Sequence, residues 1–179
     1  MPVLITPRLH CSPLQEQDWH FFLALQQHPD VMRFVAEDRP VADIREAFEA
    51  RLTPWTPGSA HWLCLVVRDA LTRVPLGVTG YIHREEDCAE VGFLFAPEAQ
   101  GKGYGFESLQ ALCRYAFEEG GIRRLTATVT AGNVASRRLL EKARFRLEGE
   151  LRESYYLAGR WQNDWLFGLL RQEYLNNNS

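Results

Sequence analysis

Residues 98–108 read EAQGKGYGFES, and the glycines Gly101, Gly103 and Gly105 stand at every second position between an apolar run and a helical pattern. A strand that ends where a helix begins leaves several backbone N–H groups without partners at the positive end of the helix dipole. Without a Cβ at alternate positions, Gly101, Lys102, Gly103, Tyr104 and Gly105 can turn successive N–H groups inward and let an anion reach the backbone. The stretch is therefore expected to cradle a phosphate or pyrophosphate. It is not a Walker loop, because Lys102 is followed by glycine and no Gly-Lys-Ser/Thr occurs. Nor is it a dinucleotide fingerprint, because the spacing differs and the strands before it do not form a βαβ unit.

Working outward, residues 89–97 (AEVGFLFAP) form the apolar strand that leads into the loop. Before them, residues 61–69 and 76–85 read as two more strands joined by a turn-rich link, which makes an antiparallel meander. After the loop, residues 103–119 carry Leu109, Leu112, Cys113, Ala116 and Phe117 along one helical stripe, stopped by Gly120 and Gly121. A strand over 122–130, a helix from an Asn133 N-cap, and a closing hairpin turned near Ala158 and Gly159 complete this half. Upstream lie a short strand over 4–14, two helices over 18–27 and 40–52, and a Pro/Gly loop over 53–59. The order β, α, α, β, β, β, α, β, α, β, β predicts an α+β fold with a mixed, mostly antiparallel sheet of about seven strands flanked by helices. The 179 residues suit one domain over 1–175, with a disordered polar tail over 176–179.

Composition narrows the function. The formal charge is −3 with both signs interspersed, so neither nucleic acid nor an anionic membrane is an expected partner, and no apolar run is long enough to span a bilayer. Cys11, Cys64, Cys88 and Cys113 lack C-x-x-C spacing, and the five histidines show no pairing, so no metal is expected and a reducing cytoplasmic setting is.

Gln100, Gly103 and Gly105 match the Gln/Arg-x-x-Gly-x-Gly/Ala phosphate loop of the GNAT N-acetyltransferases, and residues 126–145 (TATVTAGNVASRRLLEKARF) resemble that family's second motif, with Asn133, Ser136 and Phe145. The flanks ITPRL at 5–9, residues 90–108 and residues 147–170 resemble the RimJ/RimL-type ribosomal-protein N-terminal acetyltransferases, and the likeness covers nearly the whole chain. The resemblance implies a GNAT fold with a splayed strand pair and acetyl-CoA as co-substrate. It places the pantetheine arm along Phe93, Leu94 and Phe95, the pyrophosphate on the N–H groups from Gln100 to Gly105, and Asn133 on the arm's other side. Direct attack by an amine on a thioester needs a neutral amine, a polarised carbonyl and a proton for the thiolate. The family's pattern offers Glu90 as base, a backbone N–H near Leu94 or Phe95 for the carbonyl, and Ser136 for the thiolate. A glutamate following EEDC is alternatively a solvated strand end, and Ser136 an ordinary first-turn residue.

The chain departs from the family in three places. Leu140 stands where many members have a tyrosine, Arg144 where they have a glycine, and Tyr155 where some members that acetylate N-terminal serine have a carboxylate. Tyr155, with Trp55 at the centre of the 53–59 loop, is the candidate acceptor contact; packing is the alternative for both. Three functions remain open. The first is acetylation of a protein N-terminal α-amine, as on a ribosomal protein, and the second acetylation of a small amine (polyamine, amino acid or aminoglycoside). The third is a non-catalytic acyl-CoA-binding module. Family analogy allows a monomer or a homodimer.

Overall fold

A computed structural model of the chain describes residues 2–178, and they form a mixed eight-stranded sheet with helices on both faces. Strands β1 (Leu4–Ile5), β2 (Leu9–Pro13), β3 (Leu63–Asp69), β4 (Pro75–His83) and β5 (Cys88–Phe95) are antiparallel neighbours in chain order. Strand β6 (Arg124–Thr130) then lies parallel to β5, and β8 (Arg160–Leu170) inserts between β6 and β7 (Arg146–Leu157). The eighth strand comes from residues 4–14, expected as one strand. Thr6 N–H donates to the Leu9 carbonyl, and the Thr6 hydroxyl accepts from Leu9 N–H, each at 3.0 Å, so the chain folds back at Pro7 and Arg8 into β1 and β2.

Helices α1 (Trp19–Gln27), α2 (Pro29–Met32) and α3 (Val41–Leu52) cover one face. Phe22, Leu25, Ile44 and Phe48 from them meet Cys64, Val66 and Val78 in one apolar core. Helix α4 (Tyr104–Glu118) covers the other face with α5 (Val134–Lys142) and α6 (Arg171–Asn177), and the stripe read from the sequence, Leu109, Leu112, Cys113, Ala116 and Phe117, is fully buried there. That spacing repeats every three or four residues, so one helix face receives every apolar side chain while charged residues point outward. The β7–β8 hairpin turns at Ala158 and Gly159, both with positive φ (55° and 78°), as a two-residue primed turn requires.

One expectation about the C-terminus needs correction. Asn176 and Asn177, expected in a disordered tail, lie in α6; Glu173 accepts from Leu170 N–H at its start and Tyr174 packs on Phe117 with ring centroids 5.1 Å apart. Ser179 lies outside the described residues. Arg144, in place of the usual glycine, does not disturb the end of α5: it takes the left-handed conformation itself (φ 72°), and Phe145 N–H closes on the Leu140 carbonyl at 2.9 Å.

Candidate active site

Strands β5 and β6 pair only at Cys88 with Arg124, Ala89 with Leu125 and Glu90 with Thr126, and beyond Glu90 they diverge. From Val91 to Phe95 the β6-facing edge of β5 has no strand partner among the described residues. The divergence opens a cavity of about 560 Å³ through the sheet, walled by Glu90, Gly92, Phe93 and Leu94, by 127–130 of β6, and by Asn133, Ser136 and Leu140 of α5.

The glycine loop sits past the end of β5, where a short 3-10 turn (Pro97–Ala99) leads into it. Gly101 and Gly103 are both left-handed, with φ of 75° and 82°, which L side chains avoid. Among the described residues no acceptor engages the N–H groups of Gly101, Lys102, Gly103, Tyr104 or Gly105, so they present a run of donors at the start of the 15-residue α4. This suits an anion. Gln100 differs from expectation: its N–H donates to the Pro97 carbonyl (3.2 Å) and its side-chain amide to the Phe95 carbonyl (3.0 Å), so it shapes the turn rather than extending the run of donors. Gly105 is not left-handed. A Cβ there would lie 3.2 Å from Leu139, so its smallness lets α4 approach α5.

The β1–β2 turn braces this loop. Arg8 bonds the Glu107 carboxylate through Nε (2.7 Å), donates from Nη1 to the Lys102 carbonyl (2.9 Å) and covers the Tyr104 ring at 4.6 Å. Thr6 also donates to Glu107. Burial works against the ionised Glu107, but the bonds from Thr6 and Arg8 outweigh it and hold its carboxyl below the usual value. This clamp was not read from the sequence. The quoted ITPRL carried it, but only the fold brings Arg8 to a loop more than ninety residues away.

On α5 the expected N-cap is present: Asn133 Oδ1 accepts from Ser136 N–H at 3.2 Å. The Ser136 hydroxyl has no hydrogen-bond partner among the described residues and borders the cavity, while Leu140, one helical turn on, is fully buried beside it. Glu90 borders the same cavity. Arg84 donates to its Oε1 from both Nε (3.3 Å) and Nη2 (3.0 Å), and among the described residues nothing engages Oε2. Phe93 and Leu94 line the cavity, whereas Phe95 is buried beneath it beside Gly105. Thr79, only 3% exposed, also lines it with a hydroxyl that has no hydrogen-bond partner among the described residues, a position suited to a polar ligand.

The two aromatic candidates separate. Tyr155 borders the cavity and its hydroxyl donates to the Val35 carbonyl at 2.6 Å, tying the β7–β8 hairpin to the 33–40 connection across the opening. Trp55 is not there. It is 2% exposed and stacks on His83 (centroids 5.6 Å apart, planes 12° apart) with Tyr81 edge-on, so the Pro-rich loop folds its indole into the core. Trp62 occupies the cavity wall instead, its indole against Gly92, where a Cβ would lie 3.1 Å from the ring. Sequence reading placed Trp62 within an apolar strand, and nothing local distinguished it from core.

A splayed strand pair running onto a helix-start anion loop can hold an extended, phosphate-bearing ligand with its reactive end between Glu90 and Ser136. Residues 8–146 match the family model described as an acetyltransferase (GNAT) domain. The chain belongs to the GNAT acetyltransferase family. This GNAT chain is 25% identical to the uncharacterized N-acetyltransferase YnaD of Bacillus subtilis, over 96% of its own length and 98% of that protein's. It is 30% identical to the FsC-acetyl coenzyme A-N(2)-transacetylase of Aspergillus fumigatus, over 78% of its length and 63% of the relative's. Its fold superposes on that of the spermidine N-acetyltransferase from Vibrio cholerae, solved with CoA and spermine, with a TM-score of 0.84 at 24% identity, covering 96% of this chain and all of the other. The protein is thus a GNAT N-acetyltransferase that uses acetyl-CoA. No helix among the described residues is long and apolar enough to cross a membrane.

Proposed function

We propose that this GNAT enzyme acetylates the N-terminal α-amine of a protein, as the RimJ/RimL-type resemblance implies, in a reducing cytoplasmic setting that accords with its four free cysteines. The observation that carries the catalytic assignment is the meeting of Glu90, Asn133 and Ser136, from separate elements, on the one cavity that opens where β5 and β6 part. The N–H groups of Gly101 to Gly105 hold the pyrophosphate, with Gln100 fixing the loop; the free edge of β5 along Phe93 to Phe95 and Asn133 hold the pantetheine arm. Acetyl-CoA, when bound, supplies a thioester carbonyl open to direct attack by an amine.

Each remaining requirement falls to a residue of the chain. Glu90 Oε2 takes the proton of the acceptor amine, directly or through water, and the β5 N–H at Leu94 or Phe95 faces the charge that develops on the carbonyl oxygen. Ser136 donates to the departing sulfur, a role that Leu140 cannot fill. Tyr155, tied to Val35, closes the acceptor side. The α-amine is favoured because its ordinary pKa of about 8 leaves a useful neutral fraction at pH 7, whereas an alkyl amine near about 10.4 leaves almost none. The walls also hold Arg39 and Arg51, poor neighbours for a polycation.

The test is thiol release from acetyl-CoA with peptides beginning Ser or Ala, the same peptides with blocked α-amines, spermidine, free amino acids and an aminoglycoside. Turnover of peptides only when the α-amine is free is expected, and turnover confined to spermidine or another small amine would overturn the acceptor assignment. Ser136→Ala should lower kcat about 100-fold, and Glu90→Gln should move the acid limb of the pH–rate profile. Full kcat in the first, or an unmoved profile in the second, would remove that residue from the mechanism. Acetyl-CoA binding without turnover of any acceptor would favour the non-catalytic reading.

A further inference from the structure

The cavity has an uneven charge distribution. Its sheet side presents the carboxylates of Glu90 and, on β8, Asp164; its helical side, built from α1 to α3, presents Arg39 and Arg51. Among the described residues neither arginine has a carboxylate within ion-pairing distance, although nine other salt bridges form in the protein.

Arg51 is the more constrained of the two. It is partly buried near the C-terminal end of α3, its guanidinium carbon is 5.9 Å from the ring centres of both Phe22 and Trp62, and of its five donors Nη1 meets the Ala47 carbonyl at 3.0 Å. Arg39 reaches the same wall from the loop before α3, held by Gln26 Oε1 at 2.6 Å. Burial pulls Arg51 below its ordinary pKa, against an opposing effect of Cys64 and with a smaller push the same way from the charge of Arg39, the reverse of what a carboxylate partner would do. A guanidinium on a cavity wall, steadied by aromatic faces and with donors unused among the described residues, is built for a planar anion, and a carboxylate fits that fork two bonds at a time.

We propose that Arg51, assisted by Arg39, sets acceptor specificity by seating a carboxylate carried by the acceptor, so that the enzyme acts on amines bearing an acidic group. The acceptor lies across the cavity, its amine toward Glu90 and its anion toward α3. Two sources share this chemistry: an acidic side chain next to a peptide's first residue, and the α-carboxylate of a free amino acid. The inference rests on the reading of this cavity as the site where an amine is acetylated.

The experiment compares kcat/KM, each expressed per neutral amine so that differences in amine basicity cancel, within two matched acceptor pairs: peptides beginning Ser-Glu or Ser-Gln, and free serine or serinamide. Wild type, Arg51→Gln, Arg51→Lys and Arg39→Gln are each tested. In at least one pair the wild type should favour the carboxylate member about tenfold; Arg51→Gln should bring that ratio close to one, Arg51→Lys should keep part of it, and Arg39→Gln should reduce it less. Discrimination between serine and serinamide alone would uphold the inference and reject the protein N-terminus. Peptide turnover with no preference for Ser-Glu, and with serine and serinamide used alike, would do the reverse. Arg39 is exposed, so Arg39→Gln tests the pair even if Arg51→Gln folds poorly. Calorimetric titration of CoA-saturated enzyme with the N-acetylated members of both pairs, the Ser-Glu and Ser-Gln peptides and N-acetylserine and N-acetylserinamide, reads the same ratios without turnover. Equal binding there, ratios of one in both wild-type pairs, or a preference that survives both glutamine variants would overturn the proposal.

Discussion

Replacing the loop glycines one at a time by alanine separates what each contributes. Gly101 has φ 75° and nothing within 4 Å of a built Cβ, so Gly101→Ala probes backbone conformation alone. Holding an L-residue left-handed costs roughly 1–2 kcal/mol, and alanine's narrower unfolded ensemble returns about 0.4–1 kcal/mol. The net loss is on the order of 1 kcal/mol, or roughly 2–4 °C in Tm for a chain of this size. If the loop relaxes to escape that strain, its N–H groups turn away from the cradle, and the cost moves from stability to CoA affinity at about 5–30-fold in Kd. Gly103→Ala adds a Cβ 3.2 Å from Arg8 Nη2, so it should also loosen the bond from Arg8 to the Lys102 carbonyl and do more harm. Gly105→Ala keeps an ordinary φ and crowds Leu139, so Tm should fall while CoA binding changes least. Gly101→Asn, which tolerates the left-handed region, should recover most of the loss. The measurements are Tm by calorimetry and CoA Kd by titration across the series. Unchanged Kd and Tm in Gly101→Ala and Gly103→Ala, with binding lost in Gly105→Ala, would refute the assignment of the cradle to the left-handed glycines.

Arg144→Gly should stabilise the protein by up to about 1 kcal/mol, since glycine takes the left-handed end of α5 without strain; a lower Tm would show that the arginine side chain contributes more than its backbone costs. Because the folded protein depresses the Glu107 pKa, its clamp on Arg8 and Thr6 is fully present above the unfolded value of about 4.3 and is lost as pH falls through the folded one. The Tm gap between wild type and Glu107→Gln should therefore shrink as pH falls from about 5 to about 3.5; a constant gap would contradict this. Burial pushes the Cys11, Cys64 and Cys113 thiols up to about 12, whereas Cys88 is partly exposed. Alkylation of the native protein at neutral pH should mark Cys88, with the other three reacting only on unfolding, as peptide mass mapping would show.

Elements whose signals are local were legible in the sequence. The stripe of α4, the Asn133 cap and the hairpin turn at Ala158 and Gly159 each depend on residues within a few positions, and each forms where expected. The fold-back of residues 4–14 was hidden because its turn relies on a Thr6 side chain and on docking against Glu107, a long-range partner. Trp55 and Trp62 show the same limit: both are tryptophans near prolines and strands, yet one stacks on His83 in the core and the other faces the cavity. That choice is made by the sheet position of Gly92 and His83 relative to the 53–62 segment, not by either tryptophan's neighbours in the chain. Gln100 belongs to the motif as read, but its contribution is to the shape of the turn, which spacing cannot reveal.

Because β5 and β6 share only three residue pairs, the sheet consists of two slabs, β1 to β5 and β6 to β8, joined along a short spine at Cys88 to Glu90. Opening or closing the wedge beyond that spine disturbs few ladder bonds, so it is the softest deformation available to an otherwise continuous sheet. An extended ligand that bonds the inner edge of β5 bridges the slabs and stiffens them together, and amide protons on the two facing edges should slow in exchange as one unit when CoA binds. The compliance of the molecule is concentrated along the line where its largest interior opening lies between two strands.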